Sequence, residues 1–119
     1  MRVDFPDDQC YKNRHMAFLL VYITHPDENT ARQIADQLVE KRLAACANIF
    51  PISSAFWWDE HIQHEQEWVS LIKTRLSLEA RIEAEVAKMH PYEVPCIMRF
   101  AVNANAAYEQ WIGESTLDT

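Results

Sequence analysis

Residues 44–75 read AACANIFPISSAFWWDEHIQHEQEWVSLIKTR, and the fold turns on how this stretch pairs with itself. Strand preference is strong at both ends of 44–58, where Ala-Cys-Ala-Asn-Ile-Phe is followed, beyond Pro51, by Ser-Ala-Phe-Trp-Trp. Aromatic and branched side chains of this kind fit a pleated, half-buried surface. From His61 to Arg75, Val69 and Leu71 alternate with Trp68, Ser70 and Ile72. Asp59-Glu60 supplies the turn between the two runs, without the glycine that tight primed turns favour. Together they predict a long antiparallel hairpin, longer than the first strand can pair with, so its tip projects from the body. Pro51 has no backbone donor and predicts a bulge or bend in the first arm.

The flanks supply the rest of the sheet and its cover. Met16–Thr24 (MAFLLVYIT) is a continuous apolar run, the pattern of a buried central strand. Pro26 suits the first turn of a helix and Asp27-Glu28 its positive end. Ala31, Ile34, Ala35, Leu38 and Val39 then recur at helical spacing, which predicts a helix over 27–43. Downstream, Ser77 reads as an N-cap. Leu78, Ile82, Val86 and Met89 form one apolar stripe of a second helix, which must end at His90 because Pro91 disfavours helical geometry before it. Ile97–Val102 is the last strand and Ala104–Ile112 a short terminal helix.

The order strand, helix, strand, strand, helix, strand predicts an α+β fold of the βαββαβ type. Its standard form is a four-stranded antiparallel sheet with both helices on one face. Right-handed crossovers are expected to place the first and fourth strands centrally. The boundaries are an N-terminal tail over 1–15, one domain over 16–114 and a C-terminal tail over 115–119.

Composition excludes several classes of function. At 119 residues the chain supports a single domain with one core. Eleven basic against 18 acidic residues give a net charge of -7, with no basic cluster of the kind nucleic-acid binding requires. The apolar run Met16–Ile23 is too short to cross a bilayer, so no membrane partner is expected. Cys10, Cys46 and Cys96 make no disulfide framework, which points to a reduced, cytoplasmic protein. The single glycine, Gly113, rules out glycine-rich phosphate loops.

Chemistry concentrates in His90-Pro91-Tyr92-Glu93-Val94-Pro95-Cys96. Imidazole and thiolate are ligands for copper or zinc, and His90 and Cys96 are the candidate metal pair. The competing reading has His90 capping the second helix and Cys96 as a small buried residue. Cys46 lies within an apolar strand and reads as packing. His61 and His64 are three apart on a strand, which turns them to opposite faces. Lys73 is a charge inside an apolar strand and needs a partner. Glu93, or an acid of a neighbouring subunit, would supply an ion pair; a small anion would make a ligand site. No nucleophile with an adjacent base is recognisable, so no enzymatic activity is expected. Three of the four tryptophans, Trp57, Trp58 and Trp68, sit on the projecting hairpin, and closed cyclic assembly would cover them.

Arg42-Leu43-Ala44-Ala45-Cys46-Ala47-Asn48-Ile49 resembles the CutA family, the divalent-cation tolerance proteins. The resemblance continues through Phe56-Trp57-Trp58, Lys73-Thr74, His90-Pro91-Tyr92-Glu93-Val94-Pro95 and Tyr108 with Trp111-Ile112, and covers about 16–114. It implies a ferredoxin-like fold, a homotrimer whose long hairpins pair between subunits, and a role in tolerance to copper and other divalent cations. Copper or another divalent cation is the candidate cofactor, and none is required. A similarity of the family's trimer to PII-type signalling proteins implies the alternative, a sensor or adaptor binding a small ligand or protein at an intersubunit cleft. Lys73, Tyr92, Glu93 and Trp58 are the candidate cleft residues. The chain departs from the family at Glu60 and Ala104, where glycines are usual, and at Glu109, where leucine is common. Ile23 stands where some bacterial members carry a cysteine implicated in copper binding, and Cys96 where glutamate is frequent.

Overall fold

The computed structural model describes residues 17–118. The tail expected over 1–15, with Cys10, and the strand start at Met16 lie outside the described residues. β1 (Phe18–His25) alternates in burial, and its phase of Leu19, Val21, Ile23 and His25 turns into the core. α1 (Glu28–Glu40) is shorter than the expected 27–43 at both ends. Asp27 stays extended and caps it, its carboxylate accepting the Thr30 N–H at 2.7 Å. At the other end the Leu43 and Ala44 N–H groups both donate to the Leu38 carbonyl, and Arg42 between helix and loop takes a φ of 58°. Ala31, Ile34, Ala35 and Leu38 form the buried stripe.

β2 (Cys46–Trp58) and β3 (His61–Arg75) form the expected hairpin. Its register is unbroken from Cys46↔Lys73 to Trp58↔His61. The bulge expected at Pro51 is not there: Pro51 pairs directly with Trp68. β2 is an edge strand, where a proline's missing donor need not interrupt a ladder. The turn is made by Asp59 and Glu60, both at positive φ (52° and 63°), as a two-residue primed turn requires. Only Trp68–Arg75 of β3 pairs with β1. The outer arms are therefore a two-stranded ribbon.

The sheet order is β2-β3-β1-β4, with β4 spanning Ile97–Val102. β1 and β3 are central and β4 is an edge, which corrects the expectation that the fourth strand is internal. Each crossover helix is about 10 Å wide against strand spacings of about 4.8 Å, so it steps over one intervening strand. β3 fills the gap between β1 and β2, and β1 the gap between β3 and β4.

α2 (Glu79–Met89) follows a single 3-10 turn, Leu76–Leu78. Ser77 is exposed and is not the N-cap; Leu78 holds that position without a side-chain bond. Leu78 is completely buried, and its place in the core sets where the helix starts. Ile82 and Val86 complete the stripe, and the helix ends at His90 as expected. Leu19, Val21, Ile23, Ile34, Leu38, Ile72, Leu78, Ile82 and Val86 form the core between helices and sheet. Each such side chain stabilises the fold by roughly 1.5–3 kcal/mol.

α3 (Ala106–Ser115) lies on the other sheet face, where the Tyr108 ring meets Phe18 edge-on at 6.2 Å. It begins two residues later than expected because Glu109, itself buried, accepts the Ala104 N–H at 2.7 Å and the Asn103 amide at 3.3 Å. The expected C-terminal tail stays on the body to Leu117: Thr116 is buried, and Leu117 packs on the core and donates its N–H to the Arg42 carbonyl. Elsewhere on this face Phe50, Met98 and Phe100 are exposed, while Val69 is fully buried. Among the described residues no helix is long and apolar enough to cross a membrane.

Candidate functional site

The 90–96 turn joins α2 to β4 and sits where the hairpin leaves the four-stranded body. His90 closes α2 through its backbone, N–H to the Val86 carbonyl. Its ring is held on both sides. Nε2 lies 2.6 Å from the Thr24 carbonyl oxygen, and Nδ1 lies 3.1 Å from the Tyr92 backbone nitrogen. A carbonyl only accepts and an amide N–H only donates, so the ring proton is on Nε2 and Nδ1 is the acceptor. Stacked on it at 5.2 Å is the fully buried ring of His25. His25 Nε2 is 2.6 Å from Ser70 Oγ, while its Nδ1 is buried without a partner among the described residues. Burial, then the neighbouring His90, brings the His25 pKa down to about 4 against the opposing pull of Asp27 and Glu67.

Tyr92 continues the chain of contacts outward. Its ring packs on His90 and its Oη donates to Glu67 Oε2 at 2.7 Å. Burial and that carboxylate raise the phenol's pKa. Cys96 is half-buried, and its thiol is pushed up by burial and by Glu67. Glu93 and Val94 face solvent.

For the metal pair this geometry has a direct consequence. Offering His90 to a cation requires breaking one of its two hydrogen bonds, and offering Cys96 as thiolate works against the raised pKa. Among the described residues no three His, Cys, Asp or Glu side chains are grouped to hold a metal ion. His90 and Cys96 as folded do not fit a preformed closed centre. The candidate cleft residues are also dispersed along one chain. Tyr92 touches Glu67. Lys73 pairs with Leu20, five positions up β3 from Trp68, roughly 17 Å at strand rise. Trp58 lies at the far ribbon tip, paired with His61.

Lys73 does not pair with Glu93. Its Nζ donates to Tyr108 Oη at 3.1 Å and stands 5.4 Å from that ring's centre. Cys46, its cross-strand partner, places Sγ 3.5 Å from the same hydroxyl. Sequence reasoning passed over His25, Glu67 and Tyr108 in these roles. For His25 the signal was available: period-two alternation puts it on the face of Val21 and Ile23. Glu67 and Tyr108 are 25 and 35 residues from their partners, a distance no local pattern bridges.

Comparison with known proteins gives a consistent result. The sequence profile of the CutA1 divalent ion tolerance protein family matches residues 19–115. A divalent-cation tolerance protein CutA of Thermotoga maritima is 42% identical over 100 residues, covering 83% of this chain and 99% of that protein. The solved structure of CutA1 from Oryza sativa superposes with a TM-score of 0.83 at 32% identity, covering 87% of this chain and 96% of that one. The structure of an Archaeoglobus fulgidus protein, described as a periplasmic divalent cation tolerance protein, gives 0.80 at 40% identity over 82% of this chain and 97% of that one.

Proposed function

The chain belongs to the CutA1 divalent ion tolerance family, and from that premise we propose that it acts in cellular tolerance to divalent cations, copper among them, as a cytoplasmic homotrimer that contacts cations weakly. The observation that carries the reading is the match across 19–115, which takes in the hairpin, the 90–96 turn and α3. The locked state of His90 supports weak contact over a closed site. Cys96 beside Glu67 offers a soft and a hard donor at the hairpin base. The ribbon supports assembly: Trp57 and Trp58 are 73% and 65% exposed on a two-stranded arm. Such an arm is marginal by itself. The reading contains no catalytic step.

Calorimetric titration with Cu and Zn tests it on the wild type, His90→Ala and Cys96→Ser. The expected isotherms are weak, above about 1 μM, weaker still for Cys96→Ser and little changed for His90→Ala. Stoichiometric binding at about 10 nM or tighter that disappears in His90→Ala would overturn weak contact. Sedimentation should give three times the chain mass, and a mass near one chain at micromolar concentration refutes the trimer.

The alternative, a sensor or adaptor with an intersubunit cleft, is favoured by one observation. Among the described residues Lys73 is half-buried on the sheet face opposite α1 and α2 and makes no ion pair.

A further inference from the structure

We propose that Lys73 and Tyr108 form a carboxylate-binding site on the sheet face opposite α1 and α2. The site shares no residue with the 90–96 turn and stands independently of the cation reading. Lys73 is on the central strand β3, half-buried, with Cys46 and Leu20 beside it on the neighbouring strands. Among the described residues its ammonium makes one hydrogen bond, to Tyr108 Oη at 3.1 Å, and no ion pair. An ammonium carries three donors. A cation withdrawn from water is costly unless an anion meets it. The Tyr108 ring, 5.4 Å from Nζ, offsets part of that cost through its π face.

Tyr108 shares the shortage of acceptors. Its oxygen accepts from Lys73, so its own proton must go elsewhere, and the neighbour in reach is Cys46 Sγ at 3.5 Å. Sulfur is a weak acceptor. Nζ and Oη stand 3.1 Å apart; the ammonium's two remaining N–H donors and the phenol O–H, which meet no strong acceptor among the described residues, match the two oxygens of one carboxylate. The surroundings specify the body attached to it. Phe18 and Trp111 flank the tyrosine ring at 6.2 and 5.7 Å. Leu20 and the exposed Phe100 continue the row Cys46, Lys73, Leu20, Phe100 across all four strands. An apolar carboxylate is the class that fits, either a free aromatic or aliphatic acid or a carboxylate side chain of a second copy set among apolar neighbours.

Titration of the full chain with sodium benzoate, against sodium chloride at equal ionic strength, tests the proposal by NMR of the Lys73 side chain and Tyr108 ring. For a free acid, both signals shift saturably with benzoate alone, Lys73→Met abolishes the response, and Tyr108→Phe weakens it about tenfold. For a second copy, benzoate moves neither signal, and Lys73→Met and Tyr108→Phe each weaken self-association about tenfold or more in a sedimentation dilution series. Tyr108→Phe keeps the ring packing and carries the test if Lys73→Met fails to fold. Benzoate shifts equal to those with chloride, together with unchanged self-association of Tyr108→Phe, would overturn the proposal.

Discussion

The two halves of the β2–β3 hairpin are one continuous ladder with one register, yet they live in different environments. The inner half, from Pro51↔Trp68 to Cys46↔Lys73, is backed by β1, and Val69 and Ile72 are fully buried there. The outer half, from Ile52↔Glu67 to Trp58↔His61, has no third strand among the described residues, and Trp57, Trp58 and Ile62 are exposed. Backbone pairing is the same in both. What differs is apolar burial, so the inner half is held by the core and the outer half depends on what it meets.

That contrast can be broken most forcefully from the inside. Ile72→Ala removes a side chain with no solvent exposure and should cost about 4 kcal/mol in denaturant unfolding. Trp57→Ala at the tip should leave the fold of a single chain nearly unchanged and act on assembly, read by sedimentation. Equal losses of unfolding stability from both would show that the ribbon packs on its own body.

The junction between the halves is where acidity should act. The His25 pKa is held to about 4 in the folded chain against an ordinary 6.5. The unfolded chain therefore takes up a proton near pH 6.5 that the folded chain refuses until near pH 4. Between those values the unfolded state binds more protons, so stability falls as pH falls, by roughly 3 kcal/mol across the window from this residue. Unfolding midpoints at pH 7, 5.5 and 4.5 measure the slope, and His25→Gln should flatten it. An unchanged slope in that variant would remove His25 as the cause.

The smallest effect belongs to the tip. Glu60 holds a φ of 63°, a conformation glycine adopts without the cost its side chain imposes. Glu60→Gly should stabilise the ribbon by about 1 kcal/mol, seen as slower amide exchange at Trp57 and Ile62 with little change near Ile72. Faster exchange at the tip would mean that the acidic side chain is itself part of the turn's support.

The hairpin was legible because alternation and turn position are local properties, and the two α-helical stripes for the same reason. Pro51 was misread because edge status belongs to the assembled sheet: the residue that would bulge a central strand lies flat at an edge. Ser77 has cap chemistry, but the burial of Leu78 moved the helix start past it. At the candidate site, the turn and the capping role of His90 followed from Pro91. The second hydrogen bond on its ring did not, because Thr24 arrives from 66 residues away. Lys73 reads in the sequence as a charge in need of a partner, and that partner, Tyr108, comes from a helix whose placement no local pattern gives.

The position of β1 in the sheet has a consequence in time. β1 is the first described strand to be synthesised, yet its two partners, Trp68–Arg75 and Ile97–Val102, lie 43 and 72 or more residues downstream. During synthesis its eight mostly apolar residues wait unpaired while β2 and β3 can already zip on each other through a two-residue turn. Loop-closure entropy must be met before such distant pairings reward it. On the nascent chain β1 stays unpaired until the ladder that runs from Phe18↔Arg75 to His25↔Trp68 closes.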